Sequence, residues 1–325
     1  MKIGLLLACL LAVPVAAGAP QGAPSTSKPA PKRWTMPRTA DGHPDLEGVW
    51  ANNTITPLER PKQFADKPEL TDAEFAHLEK RVKEIMSGGD AIFGDDLFNN
   101  AVSGNDAFRS SDTRTGNYSQ VWLSDRFVEK RTSLIVDPPN GRIPARVPQA
   151  AARQTALAPR GPFDALGLST RCITMGMPNL FAGYQSYFEF VQSRDYVVLR
   201  TEMIHEARII PLDGRPHVPS SLRQWHGDSR GRWEGDTLVV DTTNFSPRSN
   251  FRGSSENLHL VERFTRVDAD TIDYRIIVED PTTWVQPWTI LIKLRRANEG
   301  MFEYACHEGN YGMAAILSAQ QAETK

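Results

Sequence analysis

Residues Gln224–Phe245, QWHGDSRGRWEGDTLVVDTTNF, constrain the fold more than any other stretch of the chain. They place two strand-like runs around tight turns, with β-branched residues concentrated at Thr237–Thr243. Gly235-Asp236 is turn chemistry between two such runs, and this combination reads as a β-hairpin. A chain built on this unit is a β-protein rather than a helical bundle.

The strand pattern runs from Tyr187 onward, on both sides of this unit. Tyr187–Val191, Tyr196–Ile210, Thr237–Asp241, Leu258–Arg266, Thr271–Val278, Trp288–Arg295 and Met301–Cys306 are rich in β-branched and aromatic residues. Val267–Asp270 and Arg296–Gly300 read as hairpin turns between them. Short turns between successive strands give an antiparallel meander. Closure into a barrel or a curved sheet then removes the exposed edges. In Tyr196–Ile210, read as one strand, Val197, Leu199, Thr201, Met203, His205, Ala207 and Ile209 share a face. Arg200, Glu202, Glu206 and Arg208 share the other.

The N-terminal part is different. Met1–Ala17 has the form of a secretory signal: Lys2, an apolar run, then small residues. Reading Leu6-Leu7-Ala8-Cys9 as a lipobox leaves an apolar core of about six residues, short of the ~7–15 a signal needs. Residues 18–33 are rich in Pro, Ala and Ser and read as a disordered linker. Residues 34–325 then form one β-rich domain: an irregular arm over 34–165 and an antiparallel β portion over 166–325. Thr71 and Glu74 make a capping box, and Phe75, Leu78, Val82 and Ile85 follow at helical spacing. One helix is therefore expected over about 71–87. Gly89–Gly116 and Gly161–Pro178 read as long loops.

Composition excludes several function classes. The formal net charge is −2, and −3 once Lys2 leaves with the signal. Nucleic acid is not an expected partner, because backbone binding needs a basic excess. No later segment is apolar enough to span a bilayer. There is no phosphate-binding glycine motif. The seven histidines form no short metal-ligand spacing, so no cofactor is expected, and a metal site would have to be assembled from different strands. In an exported chain the remaining cysteines, Cys172 and Cys306, point to one disulfide. It would close a loop of more than about 100 residues, and two buried thiols are the alternative. Localisation follows as periplasmic or secreted.

Gly48-Val-Trp50 and Arg232–Leu238 resemble segments of lipocalin-like barrels. The forms DGHPDLEGVW, TITPLERP, EMIHEARIIPLDGRPH, GDSRGRWEGDTLVVDTTNF, ERFTRVDADTIDY and YACHEGNY span residues 41–311. Together they resemble a large group of secreted bacterial proteins. The first likeness implies a barrel, and the second carries no activity.

The candidate site residues are therefore chosen on chemistry. Gly227-Asp-Ser229-Arg-Gly231 matches the nucleophile-elbow string, but a strand rather than a helix follows, so it reads as a turn. His205, with an ordinary pKa near 6.5, is the candidate acid–base. Glu202 and Arg208 are its candidate catalytic companions. Trp225, His226, Asp241, Glu262 and His307 are candidate ligand-binding residues: aromatic, imidazole and carboxylate groups set among apolar strands. The expected partner is a small apolar or aromatic molecule in a barrel pocket. Catalysis by a His/carboxylate/Arg set, as a lyase, isomerase or hydrolase, is one alternative. An envelope protein-interaction module is the other.

Overall fold

A computed structural model describes residues 34–87, 95–103, 125–156, 166–184, 186–249 and 251–323. The leader, the linker, most of the 89–116 loop and residues 161–165 lie outside the described residues. Thr35–Lys325 forms one compact unit.

Ten strands appear in chain order. They are β1 (Gly48–Ala51), β2 (Ile135–Asp137), β3 (Tyr187–Gln192), β4 (Tyr196–Thr201) and β5 (Ala207–Pro211). β6 (Asp228–Glu234), β7 (Thr237–Thr243), β8 (His259–Arg266), β9 (Thr271–Glu279) and β10 (Trp288–Arg296) follow. Nine of them run β5-β4-β3-β1-β10-β9-β8-β7-β6 around a nearly closed barrel, and β2 adds to β10. The mainly β, antiparallel architecture matches the sequence pattern.

Every pairing along that path is antiparallel. An odd number of alternating strands leaves the two end strands pointing the same way. β5 and β6 therefore meet in parallel orientation, without a ladder. They pack by side chains instead, and Gly231 makes that possible. A Cβ there would lie 2.6 Å from Leu212 Cδ2 and 2.8 Å from Ile210 Cγ2.

Alternation decides which side chains turn inward. On β8, Leu260, Glu262, Phe264 and Arg266 are buried while their neighbours are half-buried. β9 presents Ile272, Tyr274, Ile276 and Val278 to the same interior. The barrel is filled: Tyr274 stacks on Phe264 with ring centroids 4.4 Å apart, and Phe190 meets Phe264 edge-on at 5.1 Å. Trp50 closes one end beneath the guanidinium groups of Arg266 and Arg296. Arg266 also donates to the Asp45 carbonyl, which ties the N-terminal segment over that end. The opposite end carries the β4–β5 and β7–β8 connections and the segments after β1 and before β3, and it is covered by loops rather than plugged.

The helix over Asp72–Met86, α1, begins at a capping box between Thr71 and Glu74, as its sequence predicts. Phe75, Leu78, Val82 and Ile85 pack in a second apolar cluster with Leu97 and Phe98.

Several expectations are corrected. Besides the expected α1, the described residues hold α2 (Asp95–Ser103), α3 (Pro148–Ala156) and α4 (Tyr311–Glu323). α2 occupies part of the stretch expected to be loop. The arm supplies β1, which sits between β3 and β10. Met301–Cys306 is not a strand, and Arg296–Gly300 consequently turns no hairpin. Tyr196–Ile210 is two strands. A short turn at Met203–His205 breaks it, with Ile204 at φ 59° and His205 at φ 44°. The turn resets the alternation, so Arg208 faces inward while Ala207 and Ile209 face solvent.

Candidate functional site

The loop-covered end of the barrel gathers most of the chemistry. Innermost is an ion pair. Arg208 Nη1 and Nη2 donate to the two oxygens of Glu262 at 2.6 and 3.0 Å, both residues being buried. Tyr274 donates its hydroxyl to Glu262 Oε1 at 2.5 Å. Burial works against the Arg208 charge, but the Glu262 carboxylate and its hydrogen bonds outweigh that and raise the pKa. Burial and the neighbouring Glu262 push the Tyr274 phenol well up, so it remains a donor. The three groups satisfy one another, as a buried charge requires.

Above them sits His226. Its Nε2 lies 2.7 Å from Thr174 Oγ1 and 3.3 Å from Glu206 Oε1. Glu206 Oε1 also accepts from the Met175 amide at 2.7 Å, and Thr174 Oγ1 from the Gly176 amide at 2.8 Å. Both partners sit on the same ring nitrogen. A triad would put the acid on one nitrogen and the hydroxyl on the other. This arrangement holds the 174–176 segment and orients the ring; it does not activate Thr174 as a nucleophile.

Glu202 is 3% exposed. Its Oε1 accepts the Phe302 amide at 3.2 Å, while Oε2 has no hydrogen-bond partner among the described residues. Burial raises its pKa, the Phe302 amide opposes that, and the charge of Glu299 adds to it. His205 was expected to turn inward; it is exposed, with Nδ1 3.0 Å from the Tyr304 carbonyl. His205, Glu202 and Arg208 therefore point in different directions: Arg208 into the barrel, Glu202 beneath the Phe302 segment, His205 toward Tyr304.

The Cys172–Cys306 disulfide is formed, and Asn310 Nδ2 donates to the Thr170 carbonyl beside it. His307 is exposed and Trp225 half-buried. Ser229, the serine of the nucleophile-elbow string, is buried on β6 and shares a hydrogen bond with Thr242 at 3.0 Å. No helix follows it, in keeping with the sequence reading.

Asp241 belongs to a different surface. It lies on the outward face of β7, between two imidazoles: His217 Nε2 at 3.0 Å and His259 Nε2 at 2.9 Å. His217 Nδ1 reaches Asp228 Oδ2 at 2.9 Å, and His259 Nδ1 reaches Glu279 Oε2 at 3.1 Å. The result is an unbroken chain Asp228–His217–Asp241–His259–Glu279. Burial pushes Asp241 up, but the hydrogen bonds and charges of His259 and His217 hold it below the usual carboxylate range. The Asp241 hydrogen bond raises His259, burial opposes it, and Glu279 adds to the rise. Each imidazole nitrogen is committed to a carboxylate, and no group of three or more His, Cys, Asp or Glu among the described residues could hold a metal ion. His217, His259, Asp228 and Glu279 were not among the sequence candidates. The available signal was parity: Asp241 and His259 both fall on the outward positions of alternating strands.

Two cavities border this end. One, of about 360 Å³, lies beside the disulfide and α4. The other, of about 210 Å³ and better enclosed, lies between the segment after β1 and the segment before β3. Ile55, Leu58, Leu134, Leu180 and Phe181 supply its apolar walls, and Arg126 and Arg252 its charge. None of the sequence candidates lines it.

Comparison with family models, with curated proteins and with solved structures returns no match. The site defines the chain as a filled, nearly closed antiparallel β-barrel with polar chemistry at one end.

Proposed function

We propose that this protein binds a small molecule with an apolar or aromatic body at the loop-covered end of its barrel. The observation that carries this reading is the enclosed cavity of about 210 Å³ with apolar walls and a few polar groups. That is the usual composition of a ligand site. The strand interior is packed with large side chains, so the ligand sits above the barrel rather than within it. The opposite end is closed by Trp50 and Arg266, which leaves this one for entry.

We also propose export to an oxidising compartment. The disulfide supports it, as does the leader-like run at the N-terminus. No described helix is long and apolar enough to cross a membrane. The likeness to lipocalin-like barrels and to secreted bacterial proteins is carried as part of this reading.

Catalysis is the second reading, and His226 with Glu206 favours it, being an imidazole–carboxylate pair at the same end. His226→Gln that abolishes turnover of a found ligand while leaving its affinity intact would select this reading.

The test of the first reading is native against denaturing mass spectrometry on protein exported to a periplasm. The expected result is a non-covalent mass seen only in the native spectrum and lost in Ala182→Trp, which fills the cavity. A bare polypeptide in the native spectrum, unchanged after incubation with small apolar and aromatic compounds, rejects it.

A further inference from the structure

The charge around the 210 Å³ cavity is one-sided. Arg126 and Arg252 line it, and none of its lining residues is acidic. Arg126 is seated deep: a Cβ on Gly183 would coincide with its guanidinium, so Gly183 is what gives that group its place. Burial pulls the Arg126 pKa down to about 10, the mark of a cation held away from water.

Arg252 is placed by strain. It has φ 52°, a left-handed conformation that is strained for a non-glycine residue. Its carbonyl is held by Arg146 Nη2 at 2.8 Å, and the next carbonyl, of Gly253, by Arg153 Nη2 at 3.3 Å. Two further arginines therefore fix the backbone that carries Arg252. The Arg252 guanidinium itself makes no hydrogen bond or ion pair with any described residue. A fixed backbone beneath an uncommitted planar cation, at the mouth of an apolar cavity, suits bidentate capture of an oxyanion. Glu129, which accepts from the Thr56 hydroxyl of the cavity wall, is already engaged by Arg131, whose Nε and Nη2 donate to it at 2.9 and 2.7 Å.

From this arrangement we infer that the ligand is a compact carboxylate, its apolar body against Ile55, Leu134 and Phe181 and its anionic head on the Arg252 guanidinium, with the Arg126 charge lining the same cavity. The inference rests on the small-molecule reading above and adds the ligand class. The cavity lies below the roughly 300–1,000 Å³ of sites for drug-sized ligands. That selects a single-ring or short-chain acid over a long fatty acid.

The experiment compares benzoate and hexanoate with their uncharged counterparts, benzamide and hexanamide, by isothermal titration and by amide chemical shifts. It is run on the oxidised, exported chain and on Arg252→Gln and Ala182→Trp. The expected result is that the acids bind at least tenfold tighter than the amides. Their affinity should fall as salt is raised. Arg252→Gln should bring acid affinity down to within about twofold of amide affinity, and Ala182→Trp should abolish binding of acid and amide alike. Arg252 is exposed, so its substitution leaves the core untouched. Equal binding of acid and amide overturns the anion inference and leaves the pocket reading standing. Acid binding that survives Ala182→Trp overturns the location. Absence of binding by all four probes at millimolar concentration overturns the pocket reading itself, and this inference with it.

Discussion

The Arg208 guanidinium on β5 grips the Glu262 carboxylate on β8 through two hydrogen bonds, of 2.6 and 3.0 Å, although these strands share no ladder. β6 and β7 lie between them along the sheet. The pair thus spans the unladdered seam where β5 meets β6. It ties down a strand that hydrogen-bonds on one side only.

Breaking that pair from one side should be costly, because it leaves a buried guanidinium without its counter-charge. Glu262→Gln is expected to lose about 3–5 kcal/mol of stability in a denaturant titration. Amide exchange should accelerate in β5 before it does in β9. Arg208→Met with Glu262→Met and Tyr274→Phe should recover most of the loss, since a packed apolar replacement removes the desolvation penalty. A single substitution that costs under about 1 kcal/mol would show that the pair is not what holds the seam.

The same seam depends on Gly231. A larger side chain there meets Ile210 and Leu212 at distances real Cβ contacts do not reach. Gly231→Val is expected to destabilise by about 1–3 kcal/mol and to separate β5 from β6. Gly235→Ala provides the contrast in crowding, since nothing lies within 4 Å of a Cβ there. Its φ of 59° adds backbone strain instead, so its cost should appear in the β6–β7 turn and not at the seam. Line broadening of Ile210 and Leu212 methyl signals in the first variant alone checks this.

The outer His/carboxylate chain makes stability depend on pH from both sides. The raised pKa of His259 means the folded protein holds that proton more tightly than the unfolded chain. Its contribution is full below the ordinary imidazole value of about 6.5 and is lost as pH rises through the folded value. The lowered pKa of Asp241 acts oppositely. Its contribution is present above the ordinary carboxylate value of about 4 and is lost as pH falls through the folded value. Tm should therefore decline above about pH 6.5, and His259→Gln should flatten that alkaline limb. Asp241→Asn should flatten both limbs, because it removes the partner of His259 as well. Alkaline limbs of equal slope in wild type and His259→Gln would show that this imidazole is not the linked group.

The parts of the fold legible in sequence are those where one local rule acts alone. β8 alternates throughout, and β9 from Ile272 and β10 from Ile290 do likewise, because one face is core and the other more exposed. The α1 start is written in Thr71 and Glu74. Tyr196–Ile210 misled for a specific reason. Ile204 and His205 take left-handed backbone with no glycine to announce it, so the apolar alternation reads straight through a break. His205 is then exposed and Arg208 buried, the reverse of what one continuous strand implies. The cavity arginines were invisible for another reason. Arg126, Leu180 and Arg252 come together only through the barrel's closure, and no spacing rule links segments that far apart. The outer histidine chain lies between these cases. Its members occupy predictable outward positions, but only the observed registers of β6 with β7 and of β7 with β8 bring them together.

The Cys172–Cys306 bond joins the covered end of the barrel to the segment after β10, where no strand forms. Residues 301–310 are held there by individual contacts: the Phe302 amide on Glu202, the Tyr304 carbonyl near His205, and Asn310 on the Thr170 carbonyl. Such contacts cannot resist fraying alone, so the cross-link is what fixes the segment. With a separation of 134 residues, Cys172→Ala with Cys306→Ala is expected to lose about 4–5 kcal/mol by the chain-entropy argument. Amide exchange over 301–310 should rise first. Thiol labelling of the unfolded, unreduced exported protein should find no free cysteine. Labelling of both cysteines would show that the bond does not form in the cell. A double variant as stable as wild type would show that the segment is held by its hydrogen bonds instead.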